Sequence, residues 1–285
     1  MSEPTTYRVI HSQKTPVSEE MEVLRPLPSM GFSHVGPFIM LDHFGPEEAP
    51  DGKTSLVPPH PHAGFQTVTY LLNGEGLHVD SLGKRQIIKP GDVNWMTAGK
   101  GIVHAEQLSG GDEGVMNGFQ IWVNLPAKDK FVDPGFEGYE AMELPLVQLP
   151  GAGMMRIIAG TYQGVSSPVH TYSPLQLLHV RLEAGSQWDF EATDGFETAF
   201  YVAGGSAIAS PGGPLKIGDM MLVDPQGPSI KFRPQEDTHV MILAGLPINE
   251  PVASHGPFVM NDLEQIRQAI LDYQHGKMGT VEMPL

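Results

Sequence analysis

The sequence predicts an all-β protein made of two related antiparallel domains in tandem, closed by one short C-terminal helix. Three observations carry this. Short runs of strand-forming residues lie between turn clusters, as in Phe65–Leu72, Leu77–Val79, Arg85–Ile88 and Val93–Met96, and such spacing belongs to a barrel or sandwich. The 33 glycines and 26 prolines in 285 residues follow no Gly-X-Y period, which suits many tight turns and disfavours a helical bundle. Finally, the chain repeats itself. Thr67–Gly74 (TVTYLLNG) resembles Thr198–Gly205 (TAFYVAGG), and Lys89–Met96 (KPGDVNWM) resembles Lys216–Val223 (KIGDMMLV), with a Gly-Asp turn before a strand in each half.

Taken in order, the strand at Gly118–Leu125, apolar on both faces, closes the first set. Pro126, Pro134, Gly135, Gly138, Pro145, Pro150, Gly151 and Gly153 then mark a linker-like stretch. The expected domains are residues 1–135 and residues 136–285. Strand signals resume at Leu175–Leu182. In the last element Asn261 or Asp262 caps a helix, Glu264 fits a capping box with Asn261, and Gly276 stops it. Leu263, Ile266, Ile270 and Tyr273 make the apolar stripe expected to pack on a sheet.

Composition removes several function classes. Seventeen Lys+Arg against 33 Asp+Glu give a formal charge of −16, which repels a phosphate backbone, so direct nucleic-acid binding is not expected. No cysteine is present, which excludes disulfides, thiolate metal sites, iron–sulfur clusters and cysteine nucleophiles together. The start of the chain, MSEPTTYRVIHSQK, lacks an apolar signal region, and no stretch approaches the roughly 20 apolar residues of a membrane span. A cytoplasmic protein without membrane association is the expectation. The sequence also lacks a GxSxG elbow, a phosphate-binding P-loop and a strand-turn-helix GxGxxG.

Chemistry enters with two pairs. His60-Pro61-His62 and His104-Ala105-Glu106 are both i, i+2 pairs, and on strands each pair points two ligands the same way. Three neutral imidazoles and one carboxylate suit Fe(II), Mn, Ni, Cu(II) or Zn, and at an octahedral metal they leave positions open for exchange. His11, His34, His78, His170, His179, His239, His255 and His275 lack a second ligand at that spacing and are read as structural. Asp42, His43 and Phe44 precede the first pair, where a loop position leaves them solvated or at a cavity mouth. Trp95, Met96, Phe119 and Trp122 are expected to fill the barrel interior, with Trp95 and Phe119 as candidates to face a bound aromatic ring.

The segments HPHAGFQTVTYLLNG and PGDVNWMTAGKGIVHAE resemble the two metal motifs of the cupin superfamily, and most closely those of the pirin family. GFQIWVNLP, HTYSPL and EPVASHGPFVMN are also similar to pirin segments, so the resemblance runs from about Pro37 to about Tyr273. It implies a bicupin fold of two jelly-roll barrels with one metal, usually iron, held in the N-terminal barrel by His60, His62, His104 and Glu106. The activity it implies is a dioxygenase opening a flavonol ring such as that of quercetin, with Glu106 as candidate base. Where pirins commonly read HPHRGFE, this chain has Ala63 and Gln66. Gln66, four residues beyond His62 and expected on the same strand face, offers a hydrogen bond but no base. The internal repeat carries the four ligand positions onto Glu191, Thr193, Lys231 and Arg233, a set with two cations and no imidazole that is not expected to hold a transition metal. The alternative reading is a regulatory or redox-sensing metalloprotein acting through protein partners, for which the acidic charge suits a basic partner face. A monomer is expected in either case.

Overall fold

Asp92 and Asp219 show that the repeat is structural. Each carboxylate accepts the backbone N–H three residues earlier, from Lys89 at 2.9 Å and from Lys216 at 3.0 Å. The intervening Gly91 and Gly218 take φ of 85° and 88°, a left-handed turn that glycine adopts without strain. In the computed structural model, which describes residues 7–17, 21–49, 54–223 and 229–282, these turns feed Val93–Thr97 and Asp219–Val223, each second in its sheet.

The same strand order recurs in both halves. A large sheet runs Gly135–Tyr139, Val93–Thr97, Phe65–Asn73, Val115–Asn124, Phe38–Glu48, Glu22–Leu27, Gln13–Pro16. Its counterpart runs Tyr7–His11, Asp219–Val223, Glu197–Gly204, Thr238–Gly245, Leu175–Leu182, Gly153–Tyr162, Leu146–Leu149. A four-stranded sheet accompanies each. One has the order Thr54–His62, Ile102–Ser109, Glu75–Asp80, Arg85–Ile88, and the other Trp188–Phe190, Ile230–Pro234, Ser206–Ser210, Gly213–Lys216. Apolar side chains of the small and large sheets meet in a shared core, for example Phe190 and Phe232 with Phe200 and Val240. The sheets are not closed barrels; each pair is a jelly-roll sandwich.

Internal contacts divide the chain into one unit of residues 16–23, 40–141 and 249–285 and another of residues 1–15, 24–39 and 142–248. One break falls after Ala141, and the ends of the chain are exchanged between the units. Backbone pairing explains both exchanges. Tyr7–His11 completes the edge of the sheet beside Asp219–Val223. At the other end, Phe258 bridges to Ala63, and Val259 N donates to Ala63 O at 3.0 Å.

The helix Leu263–Gln274 belongs to the unit that holds the histidine pairs. Its cap is Asp262, whose carboxylate accepts from Gln265 N at 2.8 Å, and Gln265 Oε1 in turn accepts from Asn261 N at 2.9 Å. Gln265 thus does what was expected of Glu264. The stripe is narrower than expected, because Leu263 and Tyr273 stay exposed while Ile266 and Ala269 are buried against Ala63, Val103, Phe258 and Met278. Asp262→Ala is expected to cost about 1 kcal/mol of stability, measurable as a lowered urea midpoint.

In the other unit, aromatic packing fills the place that the histidines take in the first. His104 faces His60 across the Thr54–His62/Ile102–Ser109 pair. Across the corresponding pair Trp188 faces Phe232 and Phe190 faces Ile230, and all four are buried. The positions extrapolated from the repeat are out of phase with this inner face: Lys231 and Arg233 are exposed, and Lys231 Nζ lies 3.4 Å from Asp189 Oδ2. A shift of one residue moves a strand side chain to the opposite face. The longer connection after Phe190 defeats alignment by constant spacing.

Candidate metal centre

His60 and His62 end one strand, and His104 sits opposite His60 on its neighbour. Their ligand nitrogens lie within 4.8 Å of one another. His62 and His104 are buried and His60 is half-buried, so the trio opens to solvent on the His60 side. Glu106 enters differently. It groups with His104 and His78 within 4.8 Å, in a second trio that shares His104 with the first. A β-bulge between His104 and Glu106 shifts their pairing with Thr54–His62, and such bulges re-aim side chains. Against the other neighbour the register is regular: His104 faces Asp80 and Glu106 faces His78. Thr69 Oγ1 donates to Glu106 Oε1 at 2.8 Å.

The hydrogen bonds around the first trio test whether its residues fit a metal. His60 Nδ1 lies 2.8 Å from Pro58 O and His62 Nδ1 lies 3.3 Å from Pro257 O. A carbonyl only accepts, so both Nδ1 atoms carry the hydrogen and both Nε2 atoms present lone pairs. Those Nε2 atoms are 3.0 Å apart. Two lone pairs at that distance repel unless a proton or cation sits between them. His104 Nε2 is buried with no hydrogen-bond partner among the described residues. Burial pushes the pKa of His62 down to about 3, with His60 adding to the shift. Burial first, then the neighbouring histidines, hold His104 well below the ordinary value. Three neutral imidazoles with inward lone pairs are a donor set for a divalent transition metal.

Thr69 also identifies which face of Phe65–Asn73 looks at the site. Alternation puts Phe65, Thr67 and Thr69 on that face and Gln66, Val68 and Tyr70 on the other. Cross-strand partners share a face, so Met96 and Trp122, opposite Thr67, look inward. Trp95 is opposite Val68 and Phe119 opposite Tyr70, so both look away, contrary to expectation. Ring contacts agree: Phe65 and Trp122 pack on His62 at 5.0 and 5.3 Å, whereas Phe119 stacks on His43 at 4.7 Å. His43 is buried and bonds Asn117 Oδ1 at 2.9 Å, a packing role rather than a cavity mouth.

Gln66 also lies off the expected face. Its Nε2 donates to Thr97 Oγ1 at 2.8 Å on the outer face. Gly64, at φ 86°, interrupts the chain between Thr54–His62 and Phe65–Asn73, so the alternation counted from His62 does not reach Gln66. A Cβ at position 64 would collide with the Val259 carbonyl oxygen. Ala63 is fully buried beneath the terminal helix. His78, read from the sequence as structural, stands beside His104, with ring centroids 5.3 Å apart. The signal was present as His78-Val79-Asp80, a third i, i+2 pair.

Two jelly-roll units of like strand order, one with three convergent imidazoles and the other packed with aromatic rings, define a bicupin. Family models agree, with Pirin matching residues 20–123 and the Pirin C-terminal cupin domain matching residues 177–279. The chain belongs to the pirin family. It is 40% identical over 262 residues to a pirin-like protein of Caulobacter vibrioides, covering 90% of this chain and 89% of that protein. To pirin of Homo sapiens it is 34% identical over 258 residues, covering 86% and 84%. The crystal structure of quercetin 2,3-dioxygenase from Acinetobacter baumannii matches with a TM-score of 0.90 at 31% identity, over 98% of this chain and 100% of that one. Among the described residues no helix is long and apolar enough to cross a membrane.

Proposed function

We propose that this protein is an iron-dependent dioxygenase of the pirin type that opens the ring of a flavonol such as quercetin. The convergence of His60, His62 and His104 carries the reading, supported by the full-length likeness to the Acinetobacter enzyme. In this reading the three histidines hold Fe(II), and Glu106, reached through its shared neighbour His104, completes the set. Mn, Ni, Cu or Zn suit the same donors. A divalent metal held there supplies Lewis acidity and a template for orienting the reactants.

The chain supplies the rest. The Glu106 carboxylate, steadied by Thr69 and grouped with His104, is the acceptor for a flavonol hydroxyl proton. Gln66, on the outer face, takes no part. The half-buried Trp122, backed by the fully buried Phe65 at 4.3 Å, gives an apolar wall beside His62 on which an aromatic ring stacks. Substrate enters past His60, the half-buried member of the trio.

Oxygen uptake tests this. Protein loaded anaerobically with equimolar Fe(II) is expected to consume dioxygen in step with quercetin, and His62→Ala is expected to lose both iron and uptake. Wild-type uptake by that variant would sink the assignment. Tight iron without any uptake would favour the regulatory reading, in which the metal serves binding to protein partners.

A further inference from the structure

We propose that Asp80 and His78 form a buried relay that sets the tautomer of His104 and thereby turns its Nε2 lone pair toward the metal. The inference rests on the metal centre proposed above and adds two positioning residues to it.

Asp80 anchors the relay, and its carboxylate is fully buried. Its Oδ1 accepts two backbone amides, from Leu82 at 2.9 Å and Lys84 at 3.1 Å. Its Oδ2 lies 3.1 Å from His78 Nε2. A carboxylate only accepts, so His78 carries a hydrogen on Nε2, and the neutral ring then leaves a lone pair on Nδ1. That Nδ1 lies 3.5 Å from His104 Nδ1, a long but directed contact in which His104 must be the donor. His104 therefore keeps its hydrogen on Nδ1, and Nε2, buried and without a hydrogen-bond partner among the described residues, is left as a lone pair. Phe136 stacks on His78 at 4.6 Å and fixes the plane of its ring. Strand register builds the array: Asp80 faces His104 and His78 faces Glu106, all four on one face. His78 also lies within ligand spacing of His104 and Glu106, but with one nitrogen committed to Asp80 and the other to His104 it has no lone pair left for a metal.

Asp80→Asn separates the relay from mere packing. Because the two backbone amides hold an oxygen at the Oδ1 position, the asparagine NH2 must face His78 Nε2. His78 then moves its hydrogen to Nδ1, and His104 must move its own to Nε2, where it blocks the lone pair. Long-range 15N–1H correlation spectra of chelator-treated protein read the tautomer of each ring directly, and titration with Co(II) reads the affinity. The expected result is an Nδ1–H His104 in the wild type, an Nε2–H His104 in Asp80→Asn, and a loss of Co(II) affinity of about 10- to 100-fold. His78→Phe keeps the stack on Phe136, removes the acceptor and is expected to leave His104 as a mixture of tautomers; it carries the test if Asp80→Asn fails to fold. An unchanged His104 tautomer in a folded variant would overturn the proposal. So would a His78→Phe protein whose Co(II) absorption spectrum shows the loss of a nitrogen ligand, since His78 would then bind the metal itself. A wild type that takes up no Co(II) would count against the metal centre, while the tautomers would still decide the relay.

Discussion

Lys130→Met is expected to destabilise the protein by about 3 kcal/mol or more, read from the urea midpoint, and to weaken metal binding as well. Lys130 is fully buried. Its ammonium donates to Gly64 O at 2.8 Å, Asn124 Oδ1 at 2.7 Å and Val259 O at 2.9 Å. Burial lowers its pKa from 10.5 to about 8, with Glu250 opposing the shift, so the group is charged at neutral pH and all three hydrogens are used. Methionine has a similar length and fills the space, so the loss is not that of a cavity. It is the desolvation of three acceptors left without donors, each worth about 1–3 kcal/mol. The effect reaches the site because Gly64 follows His62 by two residues and Val259 follows Pro257, whose carbonyl holds His62 Nδ1. A loss below about 1 kcal/mol, with unchanged Co(II) affinity, would show that other groups replace the ammonium.

Local chemistry made some of this legible in the sequence, and long-range geometry hid the rest. The Gly-Asp turns could be read because each is closed within three residues by a side chain bonding its own backbone. His60, His62 and His104 could be read because a strand's two-residue period makes HxH a statement about facing. The exchange of the chain ends could not, since nothing in Tyr7–His11 names Asp219–Val223 as its partner. Gln66, Trp95 and Phe119 were placed by counting alternation through a turn or without a known register, and one residue of slippage reverses the face. The role of His78 needed the knowledge that Glu75–Asp80 lies beside Ile102–Ser109, which turns an ordinary His-x-Asp into the neighbour of a ligand. The aromatic filling of the second unit was hidden by a change in connection length.

The second large effect concerns acid. Metal-free protein is expected to lose stability steeply as the pH falls from about 6.5 to about 5, before most carboxylates titrate. Burial lowers the pKa of His43 to about 4 and of His62 and His179 to about 3, holds His104 well below the ordinary 6.5, and lowers that of His239. Above 6.5 neither the folded nor the unfolded chain binds protons at these rings, and the contribution is flat. Below it the unfolded chain takes up protons that the folded chain refuses, so stability falls with pH and continues to fall until each folded-state pKa is reached. Each ring contributes a slope of up to about 1.4 kcal/mol per pH unit, and together they are enough to unfold a protein of ordinary stability. Urea midpoints measured at half-unit intervals from pH 8 to pH 5 check this, beside His43→Phe, which keeps an aromatic ring against Phe119 and removes one of the five. That variant should show a slope about one-fifth shallower in proton uptake on unfolding. A midpoint flat to pH 5 in the wild type would mean that the imidazoles are hydrated enough to charge in place, and the argument that burial keeps them neutral for a metal would fall with it.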